Sequence, residues 1–284
     1  MKTAVIVPAA GLGRRFQQAG GSEAPSKVEM ELAGTAVFLR VINLFAGRSD
    51  VAQVLLAVHP ERVEMFRLRW GDRLRFQGVD IVPGGTRERW ETVGKALEYV
   101  RGGCTHVAVH DAARPLASSE MIDRVFAAAL EHGTAVPGVA VPDTLKRVLE
   151  AEEAAEAEPE GELLDAILGG AGKPAPAEVR RVVETVPRSD LVAVQTPQVF
   201  ELGLLQRAYV EIEDGRLDPD GVTDDASLVE ALGEPVVVVE GDPLNFKITR
   251  PQDAELAEAL LARREARDAA ERGRRELFGD EDEQ

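Results

Sequence analysis

Short apolar runs alternate along this chain with longer segments whose apolar residues recur every three or four positions. The runs are Ala4–Val7, Val54–Val58, Val79–Val82, Val107–Val109, Ala135–Val141, Leu191–Val194 and Pro235–Val239. Each is short, rich in β-branched residues and bounded by turn residues, as strands buried in a parallel or mixed sheet are. Val37–Phe45, the stretch from Gly85 to about Val100, and Met121–Leu130 read as helices. Strands alternating with helices predict a three-layer α/β domain. No internal repeat is visible.

Two segments break this pattern. Residues 149–180 begin as an Ala/Glu run and end in Gly169-Gly170-Ala171-Gly172-Lys173-Pro174-Ala175-Pro176. They read as an insertion, partly helical through Leu163, Leu164, Ile167 and Leu168 and partly linker. From Gln252 onward the chain reads as a charged helix that ends in an acidic tail.

Composition narrows the function. The 284 residues and 44% hydrophobic content suit one large α/β domain with an ordinary core. Cys104, the one cysteine, makes no internal disulfide and no Cys-rich metal site. The first apolar run is far below the ~18 residues of a membrane span and no small-residue cleavage site follows it. A cytoplasmic protein without a membrane partner is expected. The formal charge of −17 argues against nucleic acid as a partner. That charge is uneven: eight acids lie within 150–165 with no base, and four more at Asp280–Glu283. These twelve leave −5 for the rest, which still permits a site for an anionic small molecule. Both acidic runs read as solvated surface.

The candidate chemistry sits where strands end. The first run passes into Pro8-Ala9-Ala10-Gly11-Leu12-Gly13-Arg14-Arg15. Small residues let backbone amides approach a phosphate or a base edge closely. Neither standard phosphate motif fits: Phe16 stands where a dinucleotide fingerprint needs glycine, and the Gly-Lys-Ser/Thr of a P-loop is missing. A glycine loop alone is as often a tight turn, but Arg14-Arg15 and Lys27 nearby suit a triphosphate. His110-Asp111-Ala112-Ala113-Arg114-Pro115 follows the fourth run. Ligands of open α/β sheets bind beyond the carboxyl ends of strands, so Asp111 and Arg114 are candidate ligands for a metal, a hydroxyl or a phosphate. The plainer alternative is a helix-capping Asp with its Arg partner. His110 reads as structural.

In this order the segments resemble the 2-C-methyl-D-erythritol 4-phosphate cytidylyltransferase family. The resemblance is carried by Val7–Arg15, Lys27, Gly84-Gly85 with Arg89 and Thr92, His110–Pro115 and Asp143–Arg147. It continues through Thr185–Arg188, Gln195–Gln198, Thr223–Ala226 and Asn245–Thr249, covering about residues 3–148 and 181–262. It departs in four places. The Gly84–Thr92 stretch is one residue longer than usual, and Ser26 rather than proline precedes Lys27. Leu244 stands where an acid is frequent, and so does Pro187.

The resemblance implies a Rossmann-like nucleotidyltransferase fold with a mixed, mostly parallel sheet and a protruding dimerisation arm. It implies a catalytic domain over 1–262, the arm at about 142–190 containing the insertion, and a charged extension over 263–284. It implies transfer of CMP from CTP to a polyol phosphate with release of pyrophosphate, in a homodimer that needs Mg²⁺. By the same resemblance Arg15 and Lys27 stabilise charge at the α-phosphate, and Arg188 and Lys247 position the substrate phosphate. Ala9, Ala10, Gly11, Gly85 and Thr92 form the nucleotide-binding set. Asp111, Arg114, Thr144, Thr196 and Thr223 form the hydroxyl- and phosphate-binding set. Mg²⁺ is held mainly through the CTP phosphates, with Asp111 as the candidate protein ligand. A transferase acting on another polyol phosphate, such as ribitol 5-phosphate, and a non-catalytic nucleotide-binding homologue stay open beside the methylerythritol-phosphate enzyme.

Overall fold

Strand β1 (Thr3–Ala9) sends alternate side chains to opposite sides, and both sides are buried. A computed structural model describes residues 1–11, 28–149 and 180–278. After β1 come α1 (Val37–Phe45), β2 (Val51–Val58), α2 (Val63–Phe76), β3 (Val79–Pro83) and α3 (Arg89–Leu97). Then follow β4 (His106–Val109), α4 (Ser119–His132), β5 (Thr134–Ala140), β6 (Leu145–Val148) and β7 (Val182–Val186). The chain closes with β8 (Gln198–Glu201), α5 (Leu202–Glu213), α6 (Asp225–Ala231), β9 (Val238–Glu240) and α7 (Pro251–Phe278).

The chain divides into two units. The first holds Met1–Val139 and Val194–Gln284. Its strands run in the order β3-β2-β1-β4-β8-β5, with β9 also paired to β5. β1 pairs in parallel with β2 and β4, and β2 with β3. β8 alone of these runs against its neighbours, antiparallel to both β4 and β5. Val5 and Val7 pack with Phe38 and Phe45 of α1, Phe66 of α2 and Met121 of α4. Ile6 points the other way, to Val93 of α3, Leu205 of α5 and Leu228 of α6. Helices therefore cover both faces, and the three-layer α/β architecture with a mixed, mostly parallel sheet is the one the alternation predicts. Among the described residues no helix is long and apolar enough to cross a membrane.

Six labelled elements escaped the sequence pattern: both strands of the β6/β7 hairpin, and four in the first unit. α2 buries only Val63, Phe66 and Leu74, and four arginines between and beside them blur its apolar stripe. β8 is four residues long and begins and ends on polar Gln198 and Glu201. α5 buries Leu205, Ala208, Tyr209 and Ile212 at helical spacing, a face the sequence reading passed over, and α6 is only seven residues long. The last predicted strand begins three residues later than its apolar run, at Val238. α7 runs without a break past residue 262.

The second unit spans Ala140–Ala193. Its described core is the β6/β7 hairpin, with Lys146 opposite Thr185 and Arg147 opposite Glu184. Both pairs bond through their side chains, Lys146 Nζ to Thr185 Oγ1 at 2.6 Å and Arg147 Nε to Glu184 Oε1 at 2.6 Å. Val148, Val182 and Val183 are all exposed on it. Nearly all of the predicted insertion lies outside the described residues.

Candidate active site

Three loops leave the carboxyl ends of parallel strands in the first unit and enclose a cleft of about 530 Å³. Pro8–Gly11 comes from β1, Gly85–Arg89 from the connection between β3 and α3, and Asp111–Ala113 from β4; Lys247 adds a charged wall. This is the crevice in which open α/β sheets bind ligands.

One side of the cleft is backbone. The Gly84 amide donates to the Val58 carbonyl at 2.7 Å, which fixes the loop to the end of β2. The Gly85 amide donates to Thr92 Oγ1 at 3.1 Å. A Cβ on Gly84 would lie 2.7 Å from Thr92 Cγ2, and one on Gly85 only 2.5 Å from Glu91 Cβ. Both positions thus require glycine through crowding, so that loop and helix α3 can approach. The Glu91 carboxylate accepts from the amides of Thr86 and Arg87 at 3.2 and 3.1 Å. It neutralises two donors that the turn leaves without helical partners.

The other side is a cluster of charge. Asp111 is buried and accepts from Arg89 Nε at 3.1 Å, Lys247 Nζ at 2.9 Å and Arg114 Nε at 3.4 Å. Burial by itself would raise the Asp111 pKa. Arg89, Lys247 and Arg114 overcome that and hold the carboxyl well below the usual carboxylate range. Arg114 also donates to the Asn245 carbonyl at 2.7 Å, joining the β4 loop to the segment that carries Lys247.

His110 lies behind Asp111 and is fully buried. Thr196 Oγ1 accepts from the Asp111 amide at 3.1 Å and stands 3.2 Å from His110 Nδ1. His110 Nε2 stands 3.0 Å from the Arg114 carbonyl. A carbonyl only accepts, so Nε2 carries the proton and Nδ1 accepts from the threonine hydroxyl. Burial pushes the imidazole down to about 4. His110 is a neutral strut, as its sequence context suggested.

The structure gathers Ala9, Ala10, Gly11, Gly85, Thr92, Asp111 and Lys247 around one cleft. Arg114 and Thr196 stand directly behind Asp111. Thr223 is exposed on the turn before α6 and is not among the residues lining the cleft. Thr144 and Arg188 belong to the second unit. Arg15 and Lys27 lie outside the described residues. Sequence reasoning assigned no role to Arg89, Asp225 or Tyr209. Arg89 Nη1 donates to Asp225 Oδ2 at 2.6 Å, and Tyr209 Oη donates to Asp225 Oδ1 at 2.7 Å. The only available signal was an arginine and two acids placed among glycine and threonine motifs.

The family model described as 2-C-methyl-D-erythritol 4-phosphate cytidylyltransferase matches residues 3–169 and 171–263. The match thus runs through most of the acidic insertion. The protein so named from Frankia casuarinae is 38% identical over 271 residues, 95% of this chain and 85% of the relative. The one from Solibacter usitatus is 36% identical over 269 residues, 94% and 98% of the two chains. The crystal structure of the protein of that name from Thermus thermophilus superposes with a TM-score of 0.64 at 33% identity, covering 92% of this chain and 98% of the other.

Proposed function

We propose how this cleft performs its reaction from one premise: the chain belongs to the 2-C-methyl-D-erythritol 4-phosphate cytidylyltransferase family. It transfers CMP from CTP to 2-C-methyl-D-erythritol 4-phosphate and releases pyrophosphate, a step of non-mevalonate isoprenoid synthesis. The observation that carries the residue-level reading is the convergence on one cleft of a crowded glycine loop and a carboxylate held by three cationic side chains.

A phosphate oxygen of the polyol phosphate attacks the α-phosphorus of CTP. The bond from that phosphorus to the bridging oxygen breaks, and pyrophosphate leaves with the electron pair. The nucleophile is already an anion, so little proton transfer is needed. Positioning and charge neutralisation do most of the catalysis. The backbone of Ala9–Gly11 and Gly85 receives the nucleotide, with Thr92 holding the Gly85 amide in register. Lys247 receives the substrate phosphate, exchanging Asp111 for it. One cation ~4 Å from a unit charge is worth ~4 kcal/mol at an effective dielectric near 20. If half of that arises only in the transition state, Lys247 supplies ~30-fold in rate. Arg15 and Lys27 act at the α-phosphate.

Among the described residues no three acidic, His or Cys side chains form a metal cage. Magnesium does not require one, because it keeps several waters and takes one or two carboxylates together with substrate phosphates. Asp111 offers a carboxylate inside the cleft, and it would ligate an ion carried by CTP through the Oδ2 edge that Lys247 vacates when it turns to the substrate phosphate. When bound, that ion neutralises charge on the phosphates. By the family resemblance Arg188 and Thr144 belong to the substrate-binding set, and the enzyme works as a homodimer. The exposed Val148, Val182 and Val183 on the hairpin support this, since they need a partner surface to become buried. CTP is an intracellular nucleotide, which supports a cytoplasmic reaction.

Pyrophosphate release is the test. CTP with 2-C-methyl-D-erythritol 4-phosphate and Mg²⁺ should turn over well above CTP with ribitol 5-phosphate, and well above ATP with the same acceptor. Faster turnover of ribitol 5-phosphate, or equal use of ATP, would overturn the assignment.

A further inference from the structure

Arg89 begins helix α3 and reaches two acids from elements far apart in sequence. Its Nε holds Asp111 Oδ1 at 3.1 Å and its Nη1 holds Asp225 Oδ2 at 2.6 Å. Asp225 is 1% exposed, and its other oxygen accepts from Tyr209 Oη at 2.7 Å. Tyr209 is itself held from the opposite side. A Cβ on Gly94 would lie 3.0 Å from Tyr209 Cδ1, so the backbone of α3 lies flush on the ring. The chain of contacts is closed: α3 carries Arg89 and, one and a half turns later, braces the tyrosine that anchors Arg89's partner.

Two buried carboxylates thus share one guanidinium. Arg114 and Lys247 supply the other cations, both to Asp111. Lys247 is the most exposed of the three cations on Asp111, and the reaction draws it toward the substrate phosphate. Arg89 is then the group that keeps the Oδ1 edge of Asp111 from following. A planar fork tied at both ends can do this; a lysine, with one point of charge, cannot hold two carboxylates in fixed directions.

Resting on the function proposed above, we propose that Arg89 is a positioning residue for the transferase reaction. It is clamped by the Asp225–Tyr209 pair and fixes the direction of the Asp111 carboxylate while Lys247 exchanges partners. Its effect reaches the reacting groups through Asp111. Tyr209 then influences turnover from outside the cleft, since it is not among the lining residues.

The test uses the full chain with CTP, 2-C-methyl-D-erythritol 4-phosphate and Mg²⁺. Native turnover is measured first; its absence would defeat the functional reading, and the role of Arg89 with it. With native turnover present, Arg89→Ala should lower kcat at least 30-fold, and added guanidinium should restore at least tenfold of that loss. Arg89→Lys should fall between the two. A folded Arg89→Ala protein with kcat within threefold of native, or with no rescue by guanidinium, overturns the proposal while leaving the function intact. Should Arg89→Ala fail to fold, Tyr209→Phe decides, assayed well below its Tm. A fivefold or greater loss of kcat with KM for CTP within twofold supports the clamp, and any other result overturns it.

Discussion

The ammonium of Lys247 lies 2.9 Å from Oδ2 of Asp111, yet the lysine side chain is 37% exposed and the aspartate 10%. The acid is fixed and the base is at the edge of the cleft. When a phosphate arrives, Lys247 has the freedom to turn to it and Asp111 does not. Lys247→Met should therefore lower kcat at least ~30-fold and leave the fold in place. Steady-state kinetics with circular dichroism checks this. A loss of less than threefold would remove Lys247 from the charge-neutralising set.

Crowding at the glycine loop makes a second expectation. In Gly85→Ala the new methyl meets Glu91 Cβ at 2.5 Å and the Thr92 amide at 2.9 Å, so the loop must move away from α3. Overpacking of this kind costs ~1–3 kcal/mol of stability. KM for CTP should rise at least tenfold and more than KM for the polyol phosphate. Equal effects on both would show that the loop does not face the nucleotide.

His110 makes stability depend on pH. Its folded pKa of about 4 lies below the ordinary value of 6.5, so between the two the unfolded chain binds the proton and the native state does not. Stability is greatest above 6.5 and falls as pH drops toward 4, by up to about 3 kcal/mol. His106, also lowered by burial, adds in the same direction. Urea unfolding of the native chain and of His110→Gln, at steps between pH 4 and 7, should give a flatter profile for the variant. Parallel profiles would contradict the neutral buried imidazole.

Whether Arg188 acts in its own subunit or in its partner is tested by mixing Lys27→Ala and Arg188→Ala proteins and letting subunits exchange. If Arg188 of the partner subunit completes the site, each mixed dimer has one site with both defects and one with neither. About one site in four should recover in an equal mixture. No recovery despite demonstrated exchange would assign Arg188 to its own subunit.

Legibility in the sequence followed separation along the chain. Val5, Ile6 and Val7 declare a strand buried on two faces, because the alternation is local and unbroken. Ala9 and Asp111 could be picked out because they stand at the ends of such strands, whereas Gly85 was named through the family resemblance. The Arg89–Asp225 pair could not, since 136 residues separate the two and no periodicity links them. Thr196 was named through the family resemblance. That its hydroxyl turns back to the Asp111 amide depends on β8 lying beside β4, and so on a strand too short and polar to announce itself. The extra residue between Gly84 and Thr92 blurred the register in one dimension. The 3.1 Å bond from Gly85 to Thr92 fixes it in three.

The second unit leaves the sheet at the end of β5; the chain re-enters it at Val192–Val194, paired to β5, and then in β8, where Val199 stands opposite Ala135 of the strand just left. Topologically the whole excursion is an overgrown hairpin connection. Closing such a loop costs only ~0.6 kcal/mol more for each doubling of its length. That is less than the ~0.8 kcal/mol carried by one buried methylene. Lengthening or rewriting the acidic run between β6 and β7 therefore barely registers in the folding equilibrium of the sheet. Selection can edit that stretch for charge, solubility or neighbours, while the floor of the cleft, built from β1 and β4, inherits none of the change.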